Sequence, residues 1–234
     1  MLMRTETSKI RCLATGSTGN CYLLNLGGGC IILDAGVSID NILAEQNLND
    51  VDFAFISHQH KDHSRSFDKL KFRGVDTLDG FTNQDFIKIQ KLSQFGGEYT
   101  IYQFPIEHGE CNNNGIIIKY DEECILYLTD FNICKYNLHQ FKFTRVLIEC
   151  NYMEENINPN DIKMKRQINT HMGLKGCIKF LETLNLEKCY EIDLVHISPT
   201  VGDGIVMGST INSKFKIPVG VCKQWGGIDY YGRR

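Results

Sequence analysis

Short apolar runs alternate along this chain with glycine-rich or polar turns, a rhythm of strands more than of long helices. Cys12-Leu13-Ala14 and Cys21-Tyr22-Leu23-Leu24 flank the loop Thr15-Gly16-Ser17-Thr18-Gly19-Asn20. Gly27-Gly28-Gly29 then turns the chain into Cys30-Ile31-Ile32-Leu33, so the opening reads as β-structure with a hairpin. Residues 51–56, 115–120, 124–128, 145–152 and 191–195 read as further strands, and 99–104 as an alternating strand that stops at Pro105. Helical spacing marks 38–46 through Ile39, Ile42 and Leu43, a short segment around 67–70, and 174–184 through Leu174, Cys177, Ile178 and Leu181. A strand is expected near 72–75 and a helix over 82–92, capped by Thr82 with Asp85 three residues on. After Pro199 the pattern predicts a glycine-rich loop over 201–209, a last strand over 215–219, and an aromatic tail with Trp225, Tyr230 and Tyr231.

Strands and helices mixed over 234 residues predict one α/β domain spanning 1–234, long enough for a large core. The net charge of −3 gives no global field to attract long nucleic acid, so such a contact needs a local patch. Ten cysteines, without a Cys-x-x-Cys pair and mostly inside apolar runs, read as reduced core residues of a cytoplasmic protein. The stretch Met1-Leu2-Met3-Arg4-Thr5-Glu6 contains no apolar leader region. No apolar segment reaches the roughly 20 residues of a membrane span. A soluble protein is expected.

The chemistry concentrates in Ser57-His58-Gln59-His60-Lys61-Asp62-His63, directly after the apolar run 51–56. At a strand end, positions i and i+2 share a face, so His58 and His60 can converge on one metal ion. The turn that follows offers Asp62 and His63 to a second. A solvated histidine-rich loop is the plain alternative, but it has no reason to follow a buried strand with this spacing. The His-x-His-x-Asp-His pattern resembles the signature of the metallo-β-lactamase superfamily, which implies a four-layer αββα sandwich and a metal-dependent hydrolase.

That resemblance extends through most of the chain. Asp34-Ala35-Gly36 is similar to the superfamily's first motif, whose aspartate supports a ligand histidine from behind. His108 takes the place of the third motif, Asp130 that of the carboxylate bridging both metals, and His196 that of the histidine completing the second metal. The implied set is His58, His60 and His108 on one ion, Asp62, His63 and His196 on the other, with Asp130 between them. Gly-Ser-x-Gly-Asn near the start resembles the YycJ/WalJ-like branch; small residues there let backbone approach a phosphate, with Ser17 and Asn20 as contacts, or simply make a tight turn. His171, read at a helix start, resembles the Gly-His-Leu-Ser element of YycJ- and PhnP-like enzymes, although Thr170 and Gly173 replace its glycine and serine. The resemblance implies a proton donor or phosphate contact; a helix-cap histidine is the alternative. Glu149 and Asn151 either steady the site or terminate their strand. Lys163-Met164-Lys165-Arg166 is either a solvated face or a binding patch, and His139 reads as surface.

Only nitrogen and oxygen donors enter this set, which suits two zinc ions first and manganese or iron next. Two such cations lower the pKa of water from about 15.7 toward neutrality and offset charge growing on phosphorus. Asp62 and His171 are the expected catalytic residues. Lactam hydrolysis is set aside because the full histidine set is present, and ribonuclease J-type cleavage because there is no room for its second domain. The resemblance therefore implies a phosphodiesterase acting on nucleotides. The modest acidic charge favours cyclic mononucleotides, as cleaved by compact phage enzymes of the anti-Pycsar type, which work as homodimers. The alternatives are a YycJ-type DNA or RNA exonuclease, a thioesterase-like hydrolase, and a non-catalytic nucleotide-binding protein. The terminal aromatics stack on a base or pack a dimer interface.

Overall fold

The computed structural model describes residues 8–27 and 29–232; Gly28 of the first hairpin turn and residues 1–6 lie outside them. One sheet has the order β1 (Lys9–Ala14), β2 (Cys21–Leu26), β3 (Gly29–Leu33), β4 (Val51–Ile56), β5 (Thr77–Asp79). The second carries β6 (Ile87–Leu92), β7 (Glu98–His108), β8 (Cys111–Tyr120), β9 (Glu123–Leu128), β10 (Arg145–Glu149), β11 (Glu191–Val195), β12 (Val219–Cys222) and β13 (Ile228–Tyr231), hydrogen-bonded in that sequence. Helices α1 (Ile39–Glu45), α2 (Lys61–Ser64) and α3 (Phe67–Phe72) belong to the first half of the chain. The second half contributes α4 (Ile162–Thr170), α5 (Leu174–Thr183) and α6 (Gly204–Phe215).

Strand alternation builds the layers. Tyr22, Ile31, Phe53 and Phe55 of the first sheet meet Ile116, Ile118, Tyr127 and Leu147 of the second in one apolar cluster. The opposite face of the first sheet, with Leu23, Ile32 and Ala54, is covered by Ile39 and Ile42 of α1 and Leu70 of α3. The outer face of the second, with Leu126, Val146 and Ile148, is covered by Leu174, Cys177 and Leu181 of α5 and Met207 and Ile211 of α6. Helix, sheet, sheet, helix is the expected four-layer order. Burial on both faces explains why the central strands are continuous apolar runs.

Several elements depart from expectation. Residues 82–92 contain no helix: Ile87 and Ile89 alternate with exposed Lys88 and Gln90, and the segment pairs with β7 as an edge strand. No strand forms over 72–75, because α3 runs to Phe72 and the strand comes later as β5. β7 does not stop at Pro105 but carries on to His108. Glu107 directs its N–H away from β8 to Ile133 O, so the N–H that Pro105 lacks falls on the same open side, past the end of β6. The loop expected over 201–209 is mostly helix, with Asp203 Oδ1 accepting from the N–H groups of Ile205 and Val206. Gly208 is there for packing: a Cβ would come 2.7 Å from the Tyr231 ring. The strand expected over 215–219 begins only at Val219, and the aromatic tail forms β13.

β3 and β4 are parallel, as are β9, β10, β11 and β12. Within each sheet their carboxyl ends lie at one edge, and the contact of Asp34, after β3, with Tyr127 of β9 brings the two edges together where most of the candidate residues sit.

Candidate metal centre

Two loops clamp the histidine segment. Asn20 N–H donates to Asp62 O at 2.6 Å and Ala35 N–H to His63 O at 2.7 Å. Gly36 makes this approach possible, since a Cβ would sit 1.7 Å from Asp62 O. Asp34, Asp130 and His196, which follow β3, β9 and β11, all have left-handed backbones with φ of 56°, 48° and 53°. Such conformations cost a non-glycine residue about 1–3 kcal/mol each and gather where a site requires a fixed aim.

The seven expected ligands fall into two groups, His58, His60, His108, Asp130 and Asp62, His63, Asp130, His196, with donor atoms within 4.8 Å of one another in each. Asp130 belongs to both. Its Oδ2 lies 3.8 Å from His58 Nε2 and 3.6 Å from His108 Nε2, and its Oδ1 lies 3.4 Å from His63 Nε2. The far sides of three of the rings are held. Asp34 Oδ2 accepts from His63 Nδ1 at 2.6 Å, Thr170 O accepts from His108 Nδ1 at 2.9 Å, and Ser57 Oγ lies 3.0 Å from His58 Nδ1. These contacts turn the Nε2 atoms inward.

The fit to divalent ions rests on the chemistry of these donors. His196 Nε2 is buried without a hydrogen-bond partner and lies 3.8 Å from Asp62 Oδ2. A buried imidazole nitrogen facing carboxylates and other imidazoles is what a cation needs, and the set contains no thiolate. The protonation pattern agrees. Burial pulls His63 and His196 down, but the surrounding carboxylates together outweigh it, Asp130 with Asp34 raising His63 well above the ordinary value and Asp130 with Asp62 and Glu149 raising His196 to about 10. For His58, burial dominates and lowers the pKa. Protons on His63 and His196 stand where cations would sit.

His171 is not at a helix start. It caps the carboxyl end of α4, a helix absent from the sequence reading, and its Nδ1 lies 2.6 Å from Glu149 Oε1. The same oxygen lies 3.1 Å from His196 Nδ1, so Glu149 joins the second ligand group to His171. Burial lowers the His171 pKa, but the Glu149 carboxylate raises it further. Asn151 donates from Nδ2 to His196 O at 2.7 Å. Both residues left open in the sequence therefore steady the site. Ser57, which donates to Asp34 as well, gave no signal in sequence.

A cavity of about 900 Å³ opens over the cluster, lined by His60, Asp62, His108, Asp130, His171 and His196 and by Ser17. Asn20 does not reach it and is no phosphate contact: it is fully buried, with Nδ2 donating to Gly16 O and Asp62 O and lying 2.9 Å from His63 Nε2. Lys163 and Arg166 also line the cavity, whereas His139 is exposed and does not line it.

The family profile described as the metallo-beta-lactamase superfamily matches residues 14–126. The chain is a metallo-β-lactamase-fold protein. Among solved structures, the metallo-beta-lactamase fold protein YhfI from Bacillus subtilis is 14% identical with a TM-score of 0.68, covering 96% of this chain and 99% of that one. A diphosphatase from the PhnP family is 13% identical with a TM-score of 0.58, covering 97% and 98%. The short form of human tRNase Z is 13% identical with a TM-score of 0.56, covering 82% and 93%. No curated protein sequence matches significantly. No helix among the described residues is long and apolar enough to cross a membrane.

Proposed function

We propose that this chain is a two-metal hydrolase that cleaves a phosphodiester bond in a small nucleotide, with cyclic mononucleotides as the favoured substrate. The observation that carries the reading is Asp130, which turns one carboxylate oxygen toward each histidine group. Bound divalent ions, zinc first, would supply Lewis acidity and a water of near-neutral pKa.

The chain's own residues supply the rest. His58, His60 and His108 would hold one ion, Asp62, His63 and His196 the other. Glu149 accepts from His171 Nδ1 and favours the imidazolium, so the proton on the other ring nitrogen, on the cavity side, can pass to a departing oxygen and leave the neutral ring behind. The cavity has the volume of small-ligand sites. Two of the similar folds carry the names tRNase and diphosphatase, and both names point to phosphoryl chemistry. A homodimer in the cytoplasm is part of the same proposal, and sedimentation tests the dimer.

The test is hydrolysis by zinc- or manganese-loaded protein of 3′,5′-cyclic mononucleotides, single-stranded DNA and RNA, and a thioester, beside H60A/D62A protein. Turnover of cyclic mononucleotides alone supports the reading. Cleavage of polymers alone makes the protein a nuclease, and thioester cleavage alone replaces the phosphodiesterase.

A further inference from the structure

Helix α4 does not pack as an amphipathic helix does. None of its residues is buried, and Ile162 and Ile168 are 83% and 38% exposed. What it turns inward is polar. Lys163, Arg166, Gln167 and Thr170, spaced i, i+3, i+4 and i+7, all line the cavity over the ligand cluster. These positions fall within an arc of about 100°, one helical face. Its carboxyl-terminal half is fixed to the site: Gln167 donates to Asn151 Oδ1, and Thr170 O accepts from His108 Nδ1 at 2.9 Å. A helix that buries no apolar side chain adds little to the core, so its ordering serves what it presents to the cavity.

Lys163 and Arg166 are the only lysine or arginine in that lining, and neither is taken up by an ion pair among the described residues. Asp62, Glu110 and Asp130 are the acidic groups facing the same space, and Asp62 and Asp130 belong to the ligand set. A solvated basic face would point away from the protein; this one points at the site. We infer that Lys163 and Arg166 select a negatively charged phosphate ester, holding its anionic oxygens from the wall above the metal centre. They are specificity determinants of the reaction proposed above, and the inference rests on that reading. Arginine suits this role through its planar fork of donors and lysine as a mobile point charge, and a cleft concentrates the field of both.

The test compares bis(p-nitrophenyl) phosphate, an anion, with its neutral methyl triester, which has the same leaving group. Metal-loaded wild-type and K163A/R166A proteins of matched metal content are used; both side chains are exposed, so the core is untouched. KM for the diester is expected to rise about tenfold while the triester is unaffected, and K163R/R166K to restore it. Equal changes on both esters, or none on the diester, overturn the inference. Calorimetric binding of AMP to the same proteins needs no turnover: about a tenfold loss of affinity in K163A/R166A supports the inference, and unchanged affinity overturns it. Wild-type protein that binds AMP through these residues yet hydrolyses neither ester removes the phosphodiesterase reading and leaves the anion wall standing.

Discussion

Asp34 Oδ2 and His63 Nδ1 lie 2.6 Å apart, and both side chains are fully buried. Ser57 Oγ and Tyr127 OH also donate to that carboxylate oxygen. The carboxylate therefore fixes the tautomer and aim of a ligand histidine. Asp34→Asn places an amide in a pocket built for an acceptor. It is expected to weaken zinc binding by about 10–100-fold in chelator competition. Unchanged affinity would show that the ring is held by packing alone.

Gly36 faces backbone, not a side chain that could swing aside. Gly36→Ala is expected to push the Asp62 segment out of place, costing more than about 2 kcal/mol in denaturant unfolding and lowering metal content. A stable, fully loaded variant would mean that the loop relaxes freely.

His63 and His196 have raised pKa values, so in the metal-free protein both still carry protons near neutral pH. Cations must expel them. Zinc affinity should therefore rise with pH through neutrality, with roughly one to two protons released per chain in calorimetry across buffers of different ionisation heat. Binding without proton release would contradict this protonation pattern.

His171, held by Glu149, is placed to protonate a leaving oxygen. His171→Ala should cut turnover of an unactivated diester by about 10²–10⁴-fold, and far less on a p-nitrophenyl ester whose leaving group needs no proton. Equal losses on both would make His171 a positioning residue only.

The buried imidazoles and Asp130 lack their cations in the metal-free chain, so loading should stabilise the fold. Zinc at a hundred times its Kd is expected to add about 2.7 kcal/mol. For a chain of this length that raises Tm by roughly 5–10 °C. Asp130→Ala should lose most of the rise, and an equal rise in that variant would place the zinc elsewhere.

The gathering of the candidate donors was legible because they sit at strand ends: His58 comes after β4, His108 closes β7, Asp130 comes after β9 and His196 after β11, and parallel pairing through β10 brings the last two ends together. Elements without an apolar stripe were not legible. α4 buries nothing, so its polar face resembled a solvated surface until the fold laid it across the cavity. Ile87 and Ile89 sit among lysine and glutamine, which favour helix, and only pairing with β7 makes them a strand. The glycines of α6 read as a loop because the ring of Tyr231, which Gly208 accommodates, is distant in sequence. Glu149 could be seen as a strand end, but its double contact depends on β10 and β11 lying side by side.

The central claim is a two-ion centre that hydrolyses a phosphodiester. Zinc titrated into metal-free protein, with bound metal and bis(p-nitrophenyl) phosphate turnover measured at each ratio, tests it most directly. The expected result is activity that climbs to a plateau at about two ions per chain and is absent in H60A/D62A protein. A fully loaded protein without turnover, or a plateau at about one ion, would contradict it.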